Sequence, residues 1–286
     1  MSEPVTASEP SAALRFVYGG VSFDVHPSAG VAWSLTPSLL SLRTSALDAP
    51  TLAHVHCAVA PDPSLGAPRP SVRVDAHWTG ENGRVETGRA RASLRALTAG
   101  RYAASGQVAP SADGCSDLLT SLASVLAVRE GGLVLHATGI AIDESGVLFL
   151  GPSGAGKSTA ANLCSQASWF AADRAIVFPH GGAWYVSGLP GGEDPSLPRA
   201  DASPRALAGI LRVRQAEAVG VSFASPIEAF RILRESCQVA NGLENEQRVL
   251  ATIESLARSV RLGFIDTVLG RDPSDLVRQF AEGART

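Results

Sequence analysis

Residues 151–159 read Gly-Pro-Ser-Gly-Ala-Gly-Lys-Ser-Thr, and Lys157 is the only lysine among the 24 Lys and Arg residues of the chain. Gly151, Gly156, Lys157 and Ser158 satisfy the phosphate-loop spacing GxxxxGK[ST]. Glycines allow backbone angles that turn successive N–H groups inward and form an anion nest. A helix starting at the end of the loop adds the positive end of its dipole. In this pattern the ammonium reaches terminal phosphates, and the hydroxyl that follows it ligates a divalent cation. The expected phosphate-binding set is Gly151, Pro152, Ser153, Gly154, Ala155, Gly156, Lys157, Ser158 and Thr159. Arg can replace Lys wherever only charge matters, but not where a compact ammonium must fit inside a ring of backbone groups.

The flanking sequence suits such a loop. An apolar run, Val147–Leu150, leads in, and KSTAANLCSQA leads out as a helix of small and aliphatic residues. LVLHATGIAI and GVLFL read as two apolar strands joined by the turn DESG, and the first carries His136, 15 residues before Gly151. Beyond the loop helix, FAADRAIVF and AWYVSG form a strand pair around the turn HGG, and Asp173 lies 16 residues after Lys157. An acid at that point is a candidate Mg²⁺ ligand.

Composition narrows the function classes. A net charge of −3 and a pI near 6.1 give no basic field for nucleic acid or an anionic membrane. The four cysteines carry no CxxC pair, so neither a disulfide framework nor a zinc spacing is indicated, and free thiols of a reducing compartment are expected. No basic region followed by an apolar run opens the chain, and no apolar stretch approaches the ~18 residues of a membrane span. A cytoplasmic protein is the expectation.

The organisation follows from periodicity. Residues 1–13 are rich in Ser, Glu, Pro and Ala and are expected to be disordered. Residues 14–112 show short alternating runs, read as a small, mainly antiparallel β domain with ENG at 81–83 as a hairpin turn. Residues 113–286 read as an α/β domain. Its first helix carries Leu118, Leu119, Leu122, Val125 and Leu126 at helical spacing and ends at Gly131–Gly132. The Gly- and Pro-rich stretch 188–206 reads as a loop and a candidate lid, followed by a strand at GILRVRQ. Ser225, Pro226 and Glu228 spell a capped helix start. A helix over 244–259, a strand VRLGFIDTVL and a last helix starting at Asp272–Pro273 complete the chain.

The order LVLHATGIAIDESGVLFLGPSGAGKS followed by FAADR resembles the HPr kinase/phosphorylase family, and looks closest to its diverged HPr-kinase-like branch. The resemblance covers 113–286. It implies a P-loop kinase fold similar to phosphoenolpyruvate carboxykinase, with ATP and Mg²⁺ as cofactors. The implied reaction moves a phosphoryl group to a Ser or Thr hydroxyl of a protein or peptide acceptor. Lys157, His136 and Asp173 are the implied catalytic residues, and Ser158 and Asp173 the implied metal ligands. Relatives tend to be oligomeric, so a homo-oligomer is expected. The family carries two adjacent acids; Asp173 matches the first, and Arg174 replaces the second. That departure removes an anion and adds a phosphate-binding group. A catalytically degenerate nucleotide-binding or scaffold module, and a simple ATPase, therefore stay open. No LSGGQ-like stretch suggests a transporter ATPase, and a one-lysine chain cannot also supply a guanine-selecting NKxD segment.

Other candidates have ordinary explanations. His54 with His56, and Asp24 with His26, alternate as a metal site would, but read as residues of an exposed strand face. Glu193 and Asp194 read as solvated loop acids. Arg199, Arg205, Arg212 and Arg214 read mainly as surface charge, with one of them able to stabilise a transferring phosphate.

Overall fold

The structure is a computed structural model, described for residues 14–28, 50–65, 74–110, 112–189, 203–238 and 243–283. The expected disorder of 1–13, the acids Glu193 and Asp194, and Arg199 lie outside these residues. The chain is a mixed α/β protein with two sheets.

The first sheet contains β1 (Leu14–Tyr18), β2 (Val21–Pro27), β3 (Ala53–Pro61), β4 (Asp75–Thr79), β5 (Asn82–Glu86), β6 (Ala90–Thr98) and β7 (Arg101–Val108), in the order β1-β2-β3-β7-β6-β5-β4. Along β3, Val55, Cys57 and Val59 point inward while His54, His56 and Ala58 face solvent, which is the period of two. Alternation suggests antiparallel pairing, yet β3 runs parallel to both β2 and β7. A parallel neighbour needs a long connection, and residues 28–52 supply it between β2 and β3. The β4–β5 turn also differs from expectation. Thr79 pairs with Asn82, so Gly80 and Glu81 make the turn, with Gly80 at φ +60°. Gly83 is instead needed because the Trp78 ring lies over it, where a Cβ would come within 2.7 Å.

Helix α1 (Ala112–Arg129) is packed from two sides. Leu118, Leu119, Leu122, Val125 and Leu126 share one cluster with Phe23, Val55 and Tyr102 of the first sheet and Ile176 and Phe178 of the second. A helix apolar around most of its circumference is a buried helix, and this one joins the two sheets through a common core.

The second sheet contains β8 (Leu133–Ile142), β9 (Ser145–Leu150), β10 (Ser168–Ala171), β11 (Arg174–His180), β12 (Ala183–Leu189), β13 (Arg205–Gln215), β14 (Gly220–Phe223) and β15 (Leu262–Thr267). Pairings β8–β9, β9–β13, β13–β12, β12–β11 and β11–β8 close five strands into a ring. Strands β9, β13 and β15 are parallel, so their C-terminal ends share one side. Helices α2 (Lys157–Leu163) and α5 (Ser274–Glu282) pack with Phe149, Val213 and Ile265, and α3 (Pro226–Ser236) and α4 (Leu243–Ser259) with Leu148, Leu150 and Ile210.

Local signals are legible where chemistry fixes them. Ser225 caps α3 with Glu228 returning to the Ser225 N–H at 2.8 Å, and Pro226 begins the helix. At α5 the cap shifts: Pro273 occupies the cap position, and the Asp272 carboxylate accepts from the Ser274 N–H at 2.8 Å. Helix α2 is shorter than KSTAANLCSQA suggests, stopping at Leu163. FAADRAIVF, which alternation reads as one strand, is interrupted at Ala172–Asp173. All four cysteines are free, and among the described residues no helix is long and apolar enough to cross a membrane.

Candidate active site

Strand β9 is buried along its length and delivers the chain to Gly151. The loop then turns through Gly154 (φ +79°) and Gly156 (φ +90°), the residue preceding α2. A Cβ at either position would meet nothing within 4 Å. Glycine is therefore required by backbone angle and not by space, since other L-residues lose roughly 1–2 kcal/mol in the left-handed region. Among the described residues, the N–H groups of Ser153, Gly154, Gly156, Lys157 and Ser158 meet no protein acceptor, and they cluster at this turn. Such a group of unmet donors fits a polyphosphate.

Lys157 is 8% exposed. Its Nζ donates to the Gly151 carbonyl at 3.0 Å, the Pro152 carbonyl at 3.1 Å and His136 Nε2 at 2.9 Å. An ammonium carries three N–H donors, and each has an acceptor here. Burial pulls the Lys157 pKa below its ordinary value, and the Asp173 carboxylate partly offsets this.

Because Nε2 of His136 accepts a hydrogen bond from an ammonium, it must present its lone pair. The ring proton therefore sits on Nδ1, the nitrogen that lies 3.1 Å from Asp173 Oδ1. The two contacts define one tautomer and link Lys157 to His136 by a hydrogen bond and His136 to Asp173 by a close polar contact. Asp173 is about half exposed, and Oδ2 lies 3.9 Å from Arg174 Nε, at the outer limit of an ion pair.

Three neighbouring strands assemble this linkage from distant sequence. Ala137 pairs with Leu150, the residue before the loop, and His136 pairs with Arg174 on the other side of β8. The spacing between strands is about 4.8 Å, so groups 15 and 21 residues from His136 become neighbours. Arg174 sits directly opposite His136 and so projects from the same face. On the parallel side, Arg212 of β13 pairs with Leu150, and no acid ends that strand. The carboxylate beside the loop thus comes from the antiparallel side of the sheet.

The remaining candidates are placed elsewhere. Arg212 is paired with Glu235, Arg214 with Asp266 at 2.8 Å and over the Phe264 ring, and Arg205 with the Ser203 carbonyl. Asp24 holds Arg15 at 2.6 Å and lies 3.3 Å from His56 on the outer face of the first sheet. Among the described residues no group of three His, Cys, Asp or Glu is arranged for a metal. Ser158 is half-buried and Thr159 exposed, both on the loop side of α2. Spacing alone does not reveal the carbonyls of Gly151 and Pro152 as ammonium acceptors, because no side-chain signal marks a carbonyl. Nor does it single out Thr138, although a polar residue two places beyond His136 in an otherwise apolar strand is a signal that could have found it.

No protein-family model matches the chain, and no curated protein matches it. Among solved structures, it is similar to the Hpr(Ser) kinase/phosphatase from Coxiella burnetii, at 11% identity and a TM-score of 0.31. That match covers 53% of this chain and 95% of the other. It is a distant structural likeness.

Proposed function

We propose that the chain is an ATP-dependent kinase that moves a phosphoryl group to a Ser or Thr hydroxyl of a protein or peptide. The observation that carries this reading is the chain Lys157–His136–Asp173 beside a nest of unmet N–H donors. The nest suits the β and γ phosphates. The ammonium leaves one of its three acceptors to reach them, which frees the Nε2 lone pair beside the reacting centre. There His136 takes the proton of the acceptor hydroxyl, and Asp173 stabilises the imidazolium that forms. The hydroxyl oxygen forms a bond to the γ phosphorus as the bond to the β-γ bridging oxygen breaks, and ADP departs. Mg²⁺ fits this donor set, because it binds through one or two protein oxygens with waters and phosphate oxygens. Ser158 Oγ and Asp173 Oδ2 are the protein oxygens that would hold it, and it would supply charge neutralisation on the phosphates.

A second reading has its own support. Lys157 is fully satisfied within the protein, and Arg174 stands beside Asp173, as a module that binds nucleotide without transfer would tolerate. Labelled ATP separates the readings. Label moving from its γ position to an acceptor protein, lost in Lys157→Ala, supports the kinase. Tight ATP binding with no product supports the module, and steady phosphate release without an acceptor indicates an ATPase.

A further inference from the structure

We propose that Thr138 is a positioning residue, whose buried hydroxyl holds the break in the β10–β11 segment that turns Asp173 towards His136. The inference rests on the kinase reading only for its kinetic consequence. Its structural content stands on strand register.

Ala171 pairs with Gly139 and Arg174 with His136, three positions on along both chains. The register therefore continues through the break, and Asp173 falls opposite Ala137. Directly opposed residues share a face and successive residues alternate. Arg174 thus shares the face of His136, and an uninterrupted strand would send Asp173 to the face of Ala137. That face belongs to the apolar cluster of Leu135, Ala137, Leu150, Phe170 and Ala175. A carboxylate there would be both desolvated and turned away from the imidazole.

The observed carboxylate lies 3.1 Å from His136 Nδ1 instead. Between the two paired positions the chain leaves strand geometry at Ala172 and Asp173. Two bonds from β8 hold it there. The Ala137 N–H donates to the Asp173 carbonyl at 3.0 Å, and Thr138 Oγ1 donates to the Ala172 carbonyl at 3.1 Å. Thr138 is fully buried, and its hydroxyl supplies a side-chain donor where the regular ladder is interrupted. The register shift between Trp169 and Ala171 lies just before this point, and such irregularities re-aim side chains beside functional sites.

Thr138→Val keeps the shape and removes the donor; Thr138→Ser keeps the donor; Thr138→Ala removes both. Crystal structures of the wild type and the variants read the geometry directly. The expected result is an Asp173 carboxylate out of hydrogen-bond reach of His136 in Thr138→Val and Thr138→Ala, and in place in Thr138→Ser. A carboxylate that stays on His136 in Thr138→Val overturns the proposal. Should Thr138→Val not fold, Thr138→Ala answers the same question, since it leaves more room. Kinetically, phosphoryl transfer falls on the order of 10-fold or more in the two variants without a hydroxyl, as for other residues that orient a site ligand. Nucleotide affinity measured in EDTA stays at the wild-type value, and Thr138→Ser restores transfer. Equal losses in Thr138→Ser and Thr138→Val would make the role one of packing and overturn the proposal. A wild type that neither binds nor consumes ATP defeats the kinase reading, and the crystallographic distance still decides the Thr138 proposal.

Discussion

Replacing Lys157 with Arg keeps the positive charge and tests whether the charge is what the site requires. The ammonium is 8% exposed and donates to three acceptors at 2.9, 3.0 and 3.1 Å, two main-chain carbonyls and an imidazole nitrogen. These converge on one tetrahedral nitrogen. A guanidinium is planar and directs its N–H groups within that plane, so it cannot meet the three directions from one atom. At least one charge-assisted hydrogen bond is lost, worth about 1.5–3 kcal/mol, and the same misfit applies when the group must reach a phosphate. At about 1.4 kcal/mol per decade this gives a roughly 10- to 100-fold weaker affinity for Mg²⁺–ATP. Isothermal titration calorimetry on wild type, Lys157→Arg and Lys157→Ala measures it, with thermal melts showing that each variant is folded. Affinity in Lys157→Arg equal to the wild type would refute the idea that shape, and not charge, keeps a lysine in a chain that otherwise uses arginine.

Three further outcomes are expected. Asp173→Asn should leave ATP binding in EDTA intact while lowering phosphoryl transfer by about 100- to 10,000-fold, the range for a lost acid–base partner; unchanged transfer in a coupled kinase assay would remove Asp173 from the chemistry. Gly156→Ala has open space but a φ of +90°, whereas Gly188→Ala places a Cβ 1.9 Å from the Phe170 carbonyl oxygen. Denaturant titration should therefore give about 1–2 kcal/mol for Gly156→Ala and more than about 3 kcal/mol for Gly188→Ala, and equal losses would contradict the distinction between strain and clash. Burial pushes the thiols of Cys57, Cys164 and Cys237 up to about 12 and that of Cys115 to about 11. The unfolded chain releases these protons first, so the stability they contribute is complete below about pH 9 and is lost as pH rises towards 11–12, at up to ~1.4 kcal/mol per pH unit for each thiol. Flat stability between pH 8.5 and 10.5 in urea melts would show that the thiols are not held in the core.

The loop, the helix after it and the capped start at Ser225 can be read from consecutive residues, because each depends on bonds between groups a few positions apart. Glycine at 154 and 156 satisfies its own backbone angles, and Ser225 with Glu228 closes a local pair of hydrogen bonds. His136 and Asp173 can be nominated by spacing, but not joined. Their contact depends on which residues of β8 stand opposite β9 and β11, and on a break in a segment that alternation alone reads as a continuous strand. Three-dimensional packing was needed to show that β3 runs parallel to its neighbours, that five strands close into a ring, and that α1 is buried between both sheets. It was needed, too, to bring Thr138 against the Ala172 carbonyl. Local chemistry is written in neighbouring residues, whereas register and packing are settled by burying all the apolar surfaces at once, and no short stretch of sequence contains that solution.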